Sequence, residues 1–251
     1  MRNVWTIARR EYNHFFASPI AYVVAFVILL TLGIMFALTI IIYSQSALSG
    51  GFNGPPPAPN IQVLSATFTF MLVLSVPALT MRLIADENRM GTMELLLTAP
   101  IRDWELIVGK WLGAFLFMLT IIAVTLIYPI VLNSLETPGI DQSQMMTAYL
   151  GMILVTGVFL ALGVGISSLF TNQIAAFFVT LIVFVFLYWL VGFPGQYIPA
   201  GSDLFSYLDL RAHFDALNSG VINLSDIVYY LSLISLGLFM GTAAVETRRW
   251  N

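Results

Sequence analysis

IAYVVAFVILLTLGIMFALTIIIY, residues 20–43, decides the fold. The run contains no Asp, Glu, Lys or Arg. A helix of that length spans about 36 Å at 1.5 Å per residue, enough to cross the ~30 Å hydrocarbon core of a bilayer. The apolar centre of a secretory signal is only about 7–15 residues long, so this run is expected to stay in place as a first transmembrane helix. Five more apolar windows follow, at 61–81, 106–132, 148–170, 174–191 and 227–245.

The composition agrees. Of the residues, 59% are hydrophobic and 9% charged, against about 45–50% and about 25% in soluble domains. Such a chain cannot bury its apolar surface in one aqueous core. The expected fold is an all-α membrane protein with six transmembrane helices, forming a single domain over 1–251. The net charge of −3 is small and no basic stripe is present, which argues against a nucleic-acid binder. Cysteine is absent, so neither disulfides nor thiol chemistry operate.

The few charges are unevenly placed. Arg82, Asp86, Glu87, Arg89, Glu94, Arg102, Asp103, Glu105 and Lys110 crowd between the second and third windows. With six spans, both termini share a side with this loop and with the turn at Thr171, Asn172 and Gln173. That side holds Arg2, Arg9, Arg10, Arg82, Arg89, Arg102, Lys110, Arg248 and Arg249, while the other holds only Arg211. The positive-inside rule therefore places both termini and the loop in the cytoplasm, in an inner (plasma) membrane. Glu136, Asp141, Asp203, Asp209, Asp215 and Asp226 lie outside and do not decide topology.

SGGFNGPPPAPN, 49–60, reads as an extended Gly/Pro linker. The outer segment 192–226 includes GFPGQYIPAGSDLFSYLDL and reads either as short broken segments at the interface or as a plain surface loop. The N-terminal segment 1–19 has Val4, Trp5, Ala8, Tyr12, Phe15 and Phe16 roughly on one helical face, with Arg9, Arg10 and Asn13 elsewhere. Such a helix is expected to lie in the interface, its apolar face among acyl chains and its arginines near anionic headgroups of membrane lipids. Pro19 then ends it or turns it into the first span.

Little here supports chemistry within the membrane. The central stretches of the windows carry no ionisable residue, which argues against a proton-coupled carrier and an intramembrane hydrolase. Ser167 and Ser168 have no membrane-embedded His or acid beside them in this reading. His14 and His213 fall at opposite ends of the bundle, with no geometry for general-base work and no cluster at metal-ligand spacing. The Val-Gly-Lys at 108–110 is not a phosphate loop, because positions 104 and 111 are both Trp. Gly157, Ala161 and Gly165, and likewise Gly237 and Gly241, recur every four residues, the spacing that lets helix backbones approach closely. They serve packing within the chain or a dimer seam. Pro77 is expected to kink the second span.

Within the charged loop, 82–105, Gly91 breaks the preceding helix. Thr92 caps a new one with Glu94 in its first turn, and Pro100 ends it by forcing Ala99 out of helical geometry. Asp103 is expected to cap the third span, with Glu105 close behind. The short helix shows Met93, Leu95, Leu96 and Leu97 among charges. These side chains suit either the bundle and lipid surface or a soluble partner, and one face fits a soluble partner better.

ENRMGTMELLLTAPIRDWELIVGK, 87–110, resembles the signature of ABC-2 permeases at Glu87, Gly91, Thr92, Glu94, Leu95, Leu96, Pro100, Gly109 and Lys110. REYNHFFASPIAYVV, PALTMRLIADE, SSLFTNQIAAF and HFDALNSGVINLSDIVYYLSLI extend the resemblance toward the gliding-motility-associated branch. Arg102 departs from the pattern where a small polar cap is expected, and Asp103 is the substitute. The resemblance implies a permease subunit of an exporter, working as a homodimer with the first and fifth spans near the seam. It implies a separate ABC ATPase subunit that carries ATP and Mg, with no cofactor on this chain. Glu87, Gly91, Thr92, Glu94, Leu95, Leu96 and Pro100 would form the coupling helix that docks the ATPase. Trp5, Arg9, Arg10, Tyr12, Phe15 and Phe16 would belong to the amphipathic connecting helix. The rival reading is a non-transporting membrane scaffold or assembly factor recruited through the same cytoplasmic helix.

Overall fold

Each apolar window is helical in the computed structural model, which describes residues 2–49, 61–85, 87, 101–135, 139–194 and 202–249. The helices are α1 Arg2–Ala17, α2 Pro19–Ser49, α3 Ile61–Thr80, α4 Asp103–Thr125, α5 Ile127–Leu135, α6 Gln142–Leu169, α7 Gln173–Val185, α8 Ser202–Leu208, α9 Leu210–Asn218 and α10 Leu224–Arg249. No strand occurs among the described residues. Six helical stretches are long and apolar enough to cross a membrane: Pro19–Gln45, Ile61–Thr80, Asp103–Leu135, Gln142–Leu169, Gln173–Leu190 and Leu224–Thr247. The linker 50–60 and the expected coupling helix, with Gly91, Thr92, Glu94, Leu95, Leu96 and Pro100, lie outside the described residues.

Local chemistry sets the joints. Ser18 separates α1 from α2, and Pro19 is the first residue of α2, where its missing N–H costs nothing. The third span is not one continuous helix. Pro129 has no N–H for the Thr125 carbonyl, and a turn at Leu126 divides α4 from α5. Its start differs from the expectation as well. Arg102, in extended backbone (φ −82°, ψ 145°), is the N-cap, and Asp103 is already helical. Glu105 Oε2 accepts the Arg102 N–H at 3.1 Å. The third residue of the helix thus supplies the reciprocal half of a capping box, so Arg102 needs no small polar side chain. At the fourth turn, Asn172 Oδ1 accepts the Ile174 N–H at 2.9 Å. The fifth span ends in a π-helical turn, Phe186–Leu190, with Val191 N–H donating to Phe186 O at 3.0 Å. Pro77 sits in the last turn of α3.

The bundle is built around α6, which is buried for most of its length and packs on α10, α3, α4, α9 and α7. Gly157, Ala161 and Gly165 of α6 face α10. A Cβ on Gly165 would meet Gly237 O at 2.6 Å, and one on Gly237 would meet Ala161 at 2.6–2.7 Å. Gly241 lies beside Gly165 and Ile107, and Gly157 beside Ile234. The small residues therefore make an intramolecular seam in which backbones touch.

Far from the charged loop, α9 lays Leu210, His213, Phe214 and Leu217 against the bundle. Asn218 ties three elements together. It accepts from Ser65 Oγ, donates to Gln62 O at 3.3 Å, and offers its carbonyl to Gln144 Nε2 at 3.3 Å. His213 is buried and fully occupied. Nδ1 is 2.7 Å from Asp226 Oδ1, Nε2 is 2.8 Å from Tyr207 O, and the ring stacks on Tyr229 with centroids 4.1 Å apart. The residue holds α8, α9 and α10 together.

Candidate functional site

Asp103, Glu105 and Lys110, the charged residues of the third span, all lie in the first turns of α4. Here α1 docks, running alongside α4 in the same direction. Asn3 Nδ2 donates to Glu105 Oε2 at 3.1 Å near its start, and Tyr12 Oη is 3.2 Å from Thr120 Oγ1 further along. Phe15 stacks on Phe117 with centroids 5.1 Å apart.

Two glycines allow this contact. A Cβ on Gly109 would lie 2.8 Å from the Ile7 side chain, and one on Gly113 would lie 2.6 Å from Glu11 Cβ and 2.9 Å from Ala8 O. The expected apolar face of α1 is therefore split. Ala8 and Phe15 are buried and Tyr12 is half-buried against α4. Trp5 is 58% exposed and Phe16 39%. Trp5 and Arg9 line a neighbouring groove, and Arg10 faces the other way.

The close approach brings an acid onto a buried base. Lys110 is 1% exposed. Its Nζ donates to Glu11 Oε1 at 3.2 Å and to Glu87 Oε1 at 2.8 Å. Arg10 Nη2 donates to Glu11 Oε1 at 3.0 Å and lies 4.0 Å from Glu87 Oε1. Burial pushes the Glu11 carboxyl up, but the charges and hydrogen bonds of Lys110 and Arg10 outweigh that and hold it below the usual carboxylate range. Two carboxylates and two cations thus form a balanced cluster, the condition under which buried charge is tolerated.

This cluster fastens the root of the charged loop. The segment leaving α3 does not enter solvent at residue 82. Leu83, Ile84 and Ala85 are buried, and Ala85 N–H donates to Ser167 Oγ at 3.1 Å. Ser167 thus uses its side-chain hydroxyl to accept a backbone N–H, and Ser168 Oγ donates to Gly165 O at 2.6 Å. Two residues beyond Ala85, Glu87 reaches Lys110. Next to Lys110, Trp111 Nε1 donates to Gly157 O at 3.0 Å and joins α4 to the central helix. The loop is thereby bonded to α4 and α6, and through Lys110 to α1.

Of the residues proposed for docking, Glu87 is placed in this cluster; Gly91, Thr92, Glu94, Leu95, Leu96 and Pro100 lie outside the described residues. Glu11, Gly113 and Ser167 are members that sequence reasoning missed. A signal existed for two of them. Gly109 and Gly113 have small-xxx-small spacing, and Glu11 falls on the Val4, Ala8, Phe15 stripe. A family model described as "ABC-2 family transporter protein" matches residues 5–246. No curated protein matches the chain.

Proposed function

The chain belongs to the ABC-2 family of transporter proteins, and from that membership we propose that it is the permease of an exporter, driven by a separate ATPase docked on the 82–105 loop. The family is the transmembrane component of ABC transporters; it implies an ABC ATPase partner and usually a membrane-embedded dimer. The finer statements are our reading. ATP and Mg reside on the partner chain, and this chain holds no cofactor. Glu94, Leu95 and Leu96 meet the ATPase, while Gly91, Thr92 and Pro100 shape the helix that carries them. Both termini and the loop face the cytoplasm, from which the partner is supplied.

The observation that carries the proposal is the clamped loop root. A loop that only recruited a partner would need no buried bonds to the bundle. This one begins with Ala85 on Ser167 and Glu87 on Lys110. Closure of the ATPase pulls on Glu87, which pulls on Lys110 and Glu11. Because α1 and α4 touch backbone to backbone at Gly109 and Gly113, they move as one unit. Trp111 passes the motion to α6. A tilt of α4 against α6 then changes which side a cavity between two subunits faces. A homodimer with α2 and α7 at the seam fits the low burial of those spans within one chain, 11% and 22%.

The test is reconstitution with an ABC ATPase subunit from the same cell, identified by copurification with this chain. A permease moves cargo across proteoliposomes only with hydrolysable ATP. If the two subunits copurify and hydrolyse ATP while no cargo from the cell's lipid or amphipathic fractions moves, the chain is a scaffold and the proposal fails.

A further inference from the structure

A cavity of about 610 Å3 opens at the elbow between α1 and α2, beside the end of α3. Its walls have two characters. Phe15, Ala21, Leu79 and Leu83 are apolar and buried, whereas Arg10, His14 and Arg82 present donors. The carboxylates in its lining, Glu11 and Glu87, already face Lys110 and Arg10. Among the described residues no ion pair engages Arg82 or His14, and both are exposed. The cavity therefore has an uncompensated guanidinium and an imidazole at one side and hydrocarbon at the other.

Its level in the molecule narrows the ligand. Ile20 and Ala21 belong to the first turn of one membrane-spanning helix and Leu79 to the last turn of another. That is the depth of lipid headgroups, where basic pockets between spans bind anionic lipid. A free anion would leave the apolar wall unpartnered, and a zwitterionic lipid would bring its own cation against Arg10, His14 and Arg82. The volume suits a headgroup with its glycerol.

We propose that the elbow cavity is a specific site for the phosphate headgroup of an anionic phospholipid, held by Arg82 and His14, with the glycerol and first acyl carbons along Phe15 and Leu79. The site shares Glu87 with the loop root but does not require ATPase docking, and it stands if that reading fails. A lipid bound here wedges the α1–α2 elbow next to the ion cluster, so lipid composition would bias the position of α1.

The test uses the full chain in detergent, with the melting temperature followed by tryptophan fluorescence. Dioctanoyl phosphatidylglycerol is titrated against dioctanoyl phosphatidylcholine and inorganic phosphate. We expect saturable stabilisation by phosphatidylglycerol alone. Arg82→Gln should weaken half-saturation about tenfold or more, the loss expected for a hydrogen bond to a charged group. His14→Gln should weaken it less, and Arg82→Lys should retain most binding, which separates lost affinity from a folding defect. Arg9→Gln removes the same charge from α1 outside the cavity and should bind within about twofold of the parent chain, since nothing at the site has changed. Three results overturn the proposal. Equal losses in Arg9→Gln and Arg82→Gln mean diffuse surface charge. Equal stabilisation by phosphatidylcholine means a site that does not select net negative charge, and equal stabilisation by phosphate means a free-anion site.

Discussion

Replacing Lys110 with Met removes the buried ammonium and keeps most of the volume of its stem. The Oε1 atoms of Glu11 and Glu87 lie 3.2 and 2.8 Å from Lys110 Nζ. They are therefore at most about 6 Å apart, close enough to disfavour joint ionisation once the cation is gone. Removing one partner of a buried pair costs about 3–5 kcal/mol. Arg10 remains 3.0 Å from Glu11, but its side chain is 58% exposed, so solvent screens much of its help. A loss of about 3 kcal/mol follows, the low end of that range, because Arg10 still offsets a small part of the Glu11 charge. Glu11→Gln is milder, about 1 kcal/mol, because Lys110 keeps Glu87. The double variant should be more stable than Lys110→Met alone, since one of the two stranded carboxylates is gone, with a coupling of at least about 1 kcal/mol. Unfolding in mixed micelles titrated with SDS measures the stabilities, and amide exchange across α1 reports its release. Strict additivity of the two substitutions, or a neutral Lys110→Met, would refute the charge-balanced cluster.

Gly113→Ala should push α1 off α4, because the new methyl would lie 2.6 Å from Glu11 Cβ and 2.9 Å from a backbone carbonyl. A loss of about 1–3 kcal/mol is expected, read as faster amide exchange in α1. The Glu11 carboxyl titrates below its ordinary value of 4.5 in the folded chain. Its ionised form therefore adds stability above pH 4.5 that is lost as pH falls through the lowered value. Melting curves between pH 3 and pH 7, taken as roughly the range where carboxylates titrate, should show a shallower acid limb in Glu11→Gln. Ser167→Ala leaves the buried Ala85 N–H without its acceptor, at a cost of about 1–3 kcal/mol. Proteolysis within the 82–105 loop should accelerate while the spans stay intact.

The six spans were legible because hydropathy summed over about twenty residues is a strong signal, and the helices follow those windows, with α2 running on to Ser49 and α6 starting already at Gln142. The joints were less so. The break at Leu126 follows from Pro129, but a proline near the end of an apolar run is also common at a kink, and the run reads as one helix. The ion cluster was hidden for a different reason. Lys110 looked like the polar edge of a span, and its partners stand 99 and 23 residues away in the chain, where periodicity does not reach. His213 looked isolated on the same grounds, because Tyr207, Asp226 and Tyr229 meet it only after α8, α9 and α10 have packed. The small residues of α6 and α10 were legible as packing positions. Whether they met within the chain or across a dimer was not, since spacing alone carries no information about the partner.

The central claim is that the 82–105 loop docks an ATPase whose motion enters the bundle through its clamped root. Its most direct test is copurification of the partner ABC ATPase with Leu95→Asp and Leu96→Asp, in detergent and in nanodiscs, on protein shown to insert normally. A carboxylate in an apolar contact is strongly unfavourable, so both variants should lose the ATPase. Glu94→Ala should lose it only in part, giving up a helix-dipole interaction of about 0.3–1 kcal/mol. If both Leu→Asp variants bind the ATPase as the parent chain does, the loop is not the docking element and the claim is contradicted.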